Sequence, residues 1–135
     1  MLLDAQLAPS NPQVLTATAN STDYIDFLAG KNLGWSASGK PSGAFVEIGA
    51  VTGTSPTLTV NLVGADDSAF SVNKITLATA TPTLTSGQSY GRLNMAIASH
   101  TPKRYVRFEY TVGGTTPNIT IVHAGLAWDV EARLI

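Results

Sequence analysis

Apolar and polar residues alternate with a period of two along most of this chain. In residues 105–112, Val106, Phe108, Tyr110 and Val112 fall on one face of an extended segment, and the residues between them fall on the other. Seven further segments alternate in a similar way, and they cover residues 13–19, 23–27, 45–48, 57–62, 74–79, 92–97 and 118–128. Such alternation is typical of β-strands that bury one face. The pattern therefore predicts about eight strands.

Runs rich in glycine, proline and serine lie between these segments. They cover residues 9–12, 30–34, 38–43, 53–56, 64–68, 86–91, 99–102 and 113–117. Such punctuation marks turns, and no longer run shows a helical stripe with capping residues. We therefore expect one all-β domain over residues 1–135, an antiparallel β-sandwich with an N-terminal arm over residues 1–12 and a C-terminal tail over residues 129–135.

The last strand segment is long enough to contain an irregularity. Residues 118–128 exceed the usual strand length, and we expect a bulge or kink near Gly125. His123 shares the parity of Ile119 and Ile121, which predicts a partly buried strand histidine.

Composition excludes several classes of function. Charged residues make up 13% of the chain, and eight basic against nine acidic residues leave a formal net charge of -1. This balance offers no broad positive surface for nucleic acid or for an anionic membrane, so we expect neither as a partner. The chain has no cysteine, which excludes disulfides, thiolate metal sites and a cysteine nucleophile. Met1 to Leu3 are followed at once by Asp4, which is unlike a secretory signal.

Candidate catalytic and metal-binding residues are sparse. His100 lies in a turn, and no nucleophile-elbow pattern accompanies either histidine. Asp66 and Asp67 lack the spaced oxygen ligands of a calcium loop, and their side chains are expected to bond local backbone amides in a turn. We expect no enzymatic activity, no metal and no cofactor.

The candidate binding residues are a basic cluster and two tryptophans. Lys103, Arg104 and Arg107 form the one basic cluster, which fits a local salt-bridging patch, a contact with an acidic partner or a solvated strand end. Trp35 lies in a glycine-rich loop and Trp128 near the C-terminus. Large aromatic residues outside strand cores are frequent interface anchors, and the alternative is a plug at one end of the sandwich.

The chain resembles the capsid cement (decoration) proteins of tailed bacteriophages, of the jelly-roll type. The resemblance extends over nearly the whole chain, through residues 1–4, 14–22, 25–26, 58–62, 66–71, 103–112 and 124–126. None of these segments is a catalytic motif, and only the set of them in this order carries the resemblance. The segments around Trp35 and Trp128 are not matched.

The resemblance implies a jelly-roll β-sandwich on the outer capsid surface of a virion, made in the host cytoplasm. It implies that the protein bridges neighbouring major capsid proteins, stabilises the head and forms a homodimer. Thr-rich residues 57–63 are the expected edge strand for self-pairing. The alternative is a small all-β receptor- or carbohydrate-binding module of a head fibre or tail, with Trp35, Tyr24 and Tyr90 as sugar platforms.

Overall fold

The computed structural model describes residues 12–31, 33, 43–99 and 101–127, and they form seven antiparallel strands. The strands are β1 (Gln13–Leu15), β2 (Ala19–Asn20), β3 (Ile25–Lys31), β4 (Gly43–Ala65), β5 (Ile75–Ala80), β6 (Arg92–Ala96) and β7 (Lys103–Ala127). In this part of the chain no helix is long and apolar enough to cross a membrane. Apart from Pro12, the expected N-terminal arm lies outside the described residues, as does the C-terminal tail.

Two long strands organise the fold. β4 has 23 residues and β7 has 25, and they pair from Gly43 opposite Ala127 to Ala65 opposite Tyr105. The first half of β4 pairs with β6 and its second half with β5, while β7 pairs with β3 and β2 along its first half and with β1 along its second. One layer therefore runs β1–β7–β4–β6, and the other runs from β2 and β3 through β7 and β4 to β5.

Both long strands bend where one layer passes into the other. The pairing register shifts repeatedly between Ile48 and Thr57 of β4. Residues with positive φ lie at the bend on both strands: Gly53 (114°), Ser55 (49°), Gly114 (101°) and Thr116 (47°). The sequence predicts separate strands on either side of these turns. Instead, the segments 45–48 and 57–62 belong to one strand, β4, and the segments 105–112 and 118–128 belong to another, β7. Residues 13–20 form two strands, β1 and β2, so the described residues have seven strands rather than about eight.

The hydrophobic core lies between the two layers, and the predicted β-sandwich is confirmed. Val106, Phe108 and Tyr110 are buried there, as the alternation predicts, while Arg107 lies on the other face. The first layer contributes Leu15, Val46, Ile48, Ile119 and Ile121 to this core, and the second contributes Leu58, Val60, Leu62, Phe108 and Tyr110.

A bulge in β7 changes the predicted placement of His123. Ile121 pairs with Ile48 and His123 pairs with Glu47, so Val122 is an extra residue on β7. The expected irregularity is thus at Val122 rather than near Gly125. His123 is half-buried as expected, but the prediction that it shares the face of the buried Ile121 is wrong, because the bulge shifts the alternation by one residue.

The strand expected at a sheet edge is in the interior of the sheet. Residues 57–63 pair with β7 throughout, and from Val60 onward they also pair with β5. Their backbone groups are therefore used within the chain, and the prediction that this segment pairs with a second copy is wrong. Among the described strands, β5 follows β4 at the end of the sheet order, so β5 rather than residues 57–63 lies at this edge.

Candidate functional site

The second layer carries an organised cluster of side chains on the face away from the main core. We call this cluster the aromatic–arginine surface, and it consists of Tyr24, Phe70, Tyr105, Arg104 and Arg107. The ring of Tyr24 meets Phe70 and Tyr105 edge to face, with centroid separations of 6.1 Å and 5.6 Å. Val63, Ala65 and Phe70 form a small second core, against which Tyr105 packs. This layer therefore buries apolar side chains on both faces.

Arg107 is held within the chain by a ring and a carboxylate. Its guanidinium carbon lies 4.2 Å from the centroid of the Phe70 ring. Its Nε and Nη2 donate to Glu109 Oε2 at 3.0 Å and 2.7 Å, and Lys74 Nζ lies 2.8 Å from the same oxygen. Burial by itself would raise the pKa of Glu109, but the hydrogen bonds from Lys74 and Arg107 outweigh it and lower that pKa. Arg107 is thus paired within its own chain, with a carboxylate that it shares with Lys74.

Arg104 is fixed in a similar way, by Asp26 of β3. Arg104 Nε donates to Asp26 Oδ1 at 2.8 Å, and its Nη2 donates to Oδ2 at 3.0 Å. The backbone N–H of Leu28 also donates to Asp26 Oδ1, at 2.8 Å. The Arg104 hydrogen bond, followed by that of Leu28, lowers the pKa of Asp26. The guanidinium carbon of Arg104 lies 4.9 Å from the centroid of the Tyr105 ring.

Lys103 is buried, unlike Arg104 and Arg107, the other two residues of the basic cluster. It is 4% exposed, and its Nζ lies 3.4 Å from Asp66 Oδ1. The stem packs over Gly64, where an added Cβ would lie 3.0 Å from Lys103 Cγ. Because so little of Lys103 reaches the surface, it offers little area to a partner, and its predicted role in partner binding stays a prediction.

In the loop from β4 to β5, the Asp67 side chain bonds local backbone amides, as the sequence predicts, whereas the Asp66 side chain accepts from the side chains of Asn73 and Lys103. Asp67 accepts hydrogen bonds from Ser71 N at 2.8 Å, Ser71 Oγ at 2.7 Å and Val72 N at 2.9 Å, and the Ser71 side-chain bond is the main cause of its lowered pKa. The pKa of Asp66 is lowered chiefly by a hydrogen bond from Asn73. These carboxylates therefore serve the turn. In the described ranges no three His, Cys, Asp or Glu side chains are grouped to hold a metal ion.

The residues of the basic cluster form salt bridges within the chain, which agrees with the first of its three interpretations, a local salt-bridging patch. Each of Lys103, Arg104 and Arg107 pairs with a carboxylate of the same chain. The remaining predicted site residues, Trp35 and Trp128, lie outside the described residues, as does His100. A role for Arg104 and Arg107 in partner binding stays a prediction.

Sequence reasoning named the exposed Tyr24 as a candidate sugar platform but missed Leu28 and Val72, two exposed apolar residues beside this surface. Leu28 is 78% exposed and has φ of 65°, in a part of β3 where the register is irregular. Tyr24 and Val72 are also exposed, so three of the four exposed large hydrophobic residues in the described ranges lie on or beside this surface. The predicted strand over residues 23–27 ends just before Leu28, and its alternation carries no signal for a projecting leucine.

The family model Bbp16 matches residues 9–122 of the chain. The chain belongs to the Bbp16 family. Membership of this phage-associated family is compatible with a bacteriophage protein. Every residue of the aromatic–arginine surface lies within the matched segment, as does Leu28, whereas Trp128 lies beyond it.

Other comparisons add little to the Bbp16 assignment. No curated protein matches the chain. A solved structure of the CBM22-1–GH10 modules of Clostridium thermocellum endo-1,4-β-D-xylanase 10B, complexed with xylohexaose, is 13% identical over 90% of this chain, with a TM-score of 0.46. The match covers 24% of that chain, so this protein spans about a quarter of its length. At this TM-score the likeness carries no argument about function.

Proposed function

We propose that this Bbp16-family protein is a structural virion protein that binds the outside of an assembled phage head and bridges neighbouring major capsid proteins. The observation that carries the proposal is the aromatic–arginine surface with its exposed margin. Leu28, Tyr24 and Val72 present apolar area to solvent on a layer that ion pairs hold in place. Exposed apolar residues gathered on one face mark interaction surfaces, and aromatic residues and arginine are enriched where binding energy concentrates.

The proposed mechanism is additive contact energy. A protein that binds only the assembled lattice stabilises it by RT ln(1 + [L]/Kd) at each site, which is about 2.7 kcal/mol at a hundredfold excess over Kd. Many copies would raise the resistance of the head to the pressure of packaged DNA. A β-sandwich suits this role, because its function would depend on contact area alone.

We also propose that the protein acts as a homodimer on the outer capsid surface, so that its partners are a second copy and the major capsid protein. A closed two-fold interface would present two capsid-binding surfaces and allow one dimer to join two capsomers. Light scattering on the purified chain at micromolar concentration should give twice the mass of the 14.1 kDa chain. A single species at the monomer mass would exclude the dimer.

The test of the function is thermal release of DNA from heads that lack the protein. Adding wild-type protein should raise the release temperature, and a Tyr24→Ala variant should raise it less. Val14→Ala is the matched control, because Val14 is also exposed but lies on β1 in the other layer. No change in release temperature with wild-type protein would overturn the proposal.

The carbohydrate-binding alternative has less support among the described residues. Tyr24 packs with Phe70 and Tyr105, whereas the hydroxyl of Tyr90 accepts a hydrogen bond from Thr85 N and its backbone N–H bonds to Ile48 O. The two tyrosines thus belong to different clusters. Binding of wild-type protein to a glycan array, together with no effect on the heads, would make the alternative the better function.

A further inference from the structure

The first described segment of the chain, residues 12–31, lies along one edge of both layers. Its three strands, β1, β2 and β3, each pair with β7, and among the described strands they pair with no other. β1 meets β7 in the first layer, whereas β2 and β3 meet it in the second. We call residues 12–31 the edge strap.

The edge strap is attached to the core by few buried side chains. Of residues 12–30, Leu15, Ser21 and Ile25 are buried, and the others are half-buried or exposed. Leu33, just beyond the strap, is again buried in the main core. Segments with few buried apolar contacts are the first to open when a folded protein fluctuates. The strap therefore has the features of a local unfolding unit that ends before Leu33.

Two hydroxyl groups replace part of the ladder between β2 and β7. Thr18 lies just before β2, and its Oγ1 accepts the Val112 N–H at 3.0 Å. Ser21 lies just after β2, and its Oγ accepts the Phe108 N–H at 3.2 Å and donates to Asp23 O at 2.7 Å. The pairing of β2 with β7 therefore depends on side chains that single substitutions remove.

The side-chain amide of Gln13 joins the parts of the strap to one another. Its Nε2 donates to Asn20 O at 2.8 Å, and its Oε1 accepts the Thr22 N–H at 3.2 Å. Gln13 belongs to β1 in the first layer, whereas Asn20 belongs to β2 in the second. Departure of β1 from β7 would therefore break bonds to the rest of the strap, which favours opening of the strap as one unit.

The strap also supplies part of the aromatic–arginine surface. Tyr24 belongs to the strap, whereas Phe70 and Tyr105, which its ring meets edge to face, lie outside it. Asp26 of the strap likewise holds Arg104 of β7. The two parts of this surface are therefore brought together by closure of the strap on β7.

We propose that the edge strap opens from β7 as one cooperative unit, and that the aromatic–arginine surface is assembled only while the strap is closed. A partner bound at this surface then stabilises the closed strap along its whole length, β1 in the other layer included, because it binds the closed form and not the open one. This consequence for binding rests on the proposed function, whereas the opening itself does not.

Amide hydrogen exchange of the free protein tests the opening. Ser21→Ala removes the acceptor of the Phe108 N–H, so amides throughout the strap, from β1 to β3, should exchange at least about tenfold faster. Ser71→Ala is the matched control, since Ser71 Oγ bonds to Asp67 outside the strap. It should leave strap amides unchanged, because the closed and open forms both keep that bond. Faster exchange beside Ser21 alone, or equal effects of the two variants, would overturn the cooperative strap.

A disulfide across one end of the strap gives a second test, which does not depend on a weakened fold. The chain has no cysteine, and Val14 of β1 lies directly opposite Thr120 of β7. In Val14→Cys with Thr120→Cys, oxidation should slow exchange in β2 and β3 at least about tenfold relative to the reduced protein. Adding Gln13→Ala should remove much of this effect, because it cuts the bonds between β1 and the rest of the strap. Slower exchange confined to β1 would overturn opening as one unit.

Exchange in the presence of heads that lack the protein tests the link to binding. Strap amides of bound wild-type protein should exchange more slowly along the whole strap, β1 included. Bound protein whose strap exchanges as fast as in the free protein would overturn the coupling between the strap and the surface. If wild-type protein fails to bind the heads, the proposed function is overturned, while exchange of the free protein still decides whether the strap opens as one unit.

Discussion

Arg104 and Asp26 form a two-point ion pair between residues 78 positions apart in the chain, with N–O distances of 2.8 Å and 3.0 Å. This pair connects β3 to the start of β7, and Asp26 also accepts the Leu28 N–H. Two parallel hydrogen bonds fix the orientation of a carboxylate more firmly than a single point charge does. The pair therefore sets the conformation of the irregular part of β3.

The first prediction concerns hydrogen exchange at Leu28. Asp26→Ala removes the acceptor of the Leu28 N–H, so exchange of that amide should become faster while amides of the core strands stay protected. Arg104→Lys should have a smaller effect in the same direction, because a lysine cannot hold both oxygens in a fixed fork. Asp23→Ala is the control, since Ser21 Oγ donates to the backbone oxygen of Asp23, which this substitution keeps. Unchanged exchange in Asp26→Ala would contradict the assigned hydrogen bond.

The second prediction concerns acid. The pKa values of Asp26, Asp66 and Asp67 lie below their ordinary value of 3.8, and that of Glu109 lies below 4.5. The unfolded chain therefore binds more protons at acid pH, and the stability from these groups is fully present above their ordinary pKa values and is lost as pH falls through the lowered ones. The free energy of unfolding should be flat between about pH 7 and 5 with respect to these groups and should fall below about pH 4.

Urea unfolding at a series of pH values tests this dependence. Asp67→Asn should show a shallower fall in acid than wild type, because residue 67 then no longer takes up a proton on unfolding. A Glu47→Gln variant, at a carboxylate on β4 away from these ion pairs, is the comparison. A wild-type free energy of unfolding that stays constant down to pH 2 would contradict the prediction.

The third prediction compares neighbours on β7. Phe108 is fully buried between the layers, so Phe108→Ala should cost about 3–5 kcal/mol. Arg107→Ala leaves the core intact but removes the contact with Phe70 and the bond to Glu109, so it should cost about 1 kcal/mol. The sequence alone predicts almost no cost for Arg107→Ala. Equal losses in thermal unfolding would contradict the assigned faces of the strand.

Periodicity predicts most of the fold but not its continuity. The alternation in residues 57–62 and 105–112 correctly identifies the buried faces, because burial on one side imposes a period of two. Whether a glycine-rich run ends a strand or bends it depends on pairing across the sheet, which local sequence does not contain. Phe45 shows the same limit. The alternation assigns it to the outer face, yet it is buried, with the guanidinium carbon of Arg92 4.7 Å from its ring centroid.

The candidate surface was only partly predictable for a similar reason. Lys103, Arg104 and Arg107 are visible in the sequence as a cluster, but the carboxylate partners of Lys103 and Arg104 come from distant segments, and one of the three cations is buried. Leu28 carries no sequence signal, because its exposure depends on a positive φ that Leu seldom adopts and on a hydrogen bond to a carboxylate that Arg104 holds.

The last prediction tests the bend that joins the two layers. Gly114 has φ of 101°, and an added Cβ would lie 2.6 Å from Ser55 O and 2.8 Å from Thr54 O. Gly114→Ala should therefore cost more than about 3 kcal/mol, because conformational strain of about 1–3 kcal/mol adds to a clash with backbone that cannot move freely.

Two other glycines separate conformational strain from this clash. Gly87 has φ of 84° but open space around its Cβ position, so Gly87→Ala should cost only about 1–2 kcal/mol, the strain of the left-handed conformation. Gly91 has open space and no positive φ, so Gly91→Ala should be neutral or stabilise the protein by up to about 1 kcal/mol. Urea unfolding of the three variants should rank them in this order. If Gly114→Ala costs no more than Gly87→Ala, the close approach of the two long strands at the bend does not contribute to stability, and the layers are held together by their core alone.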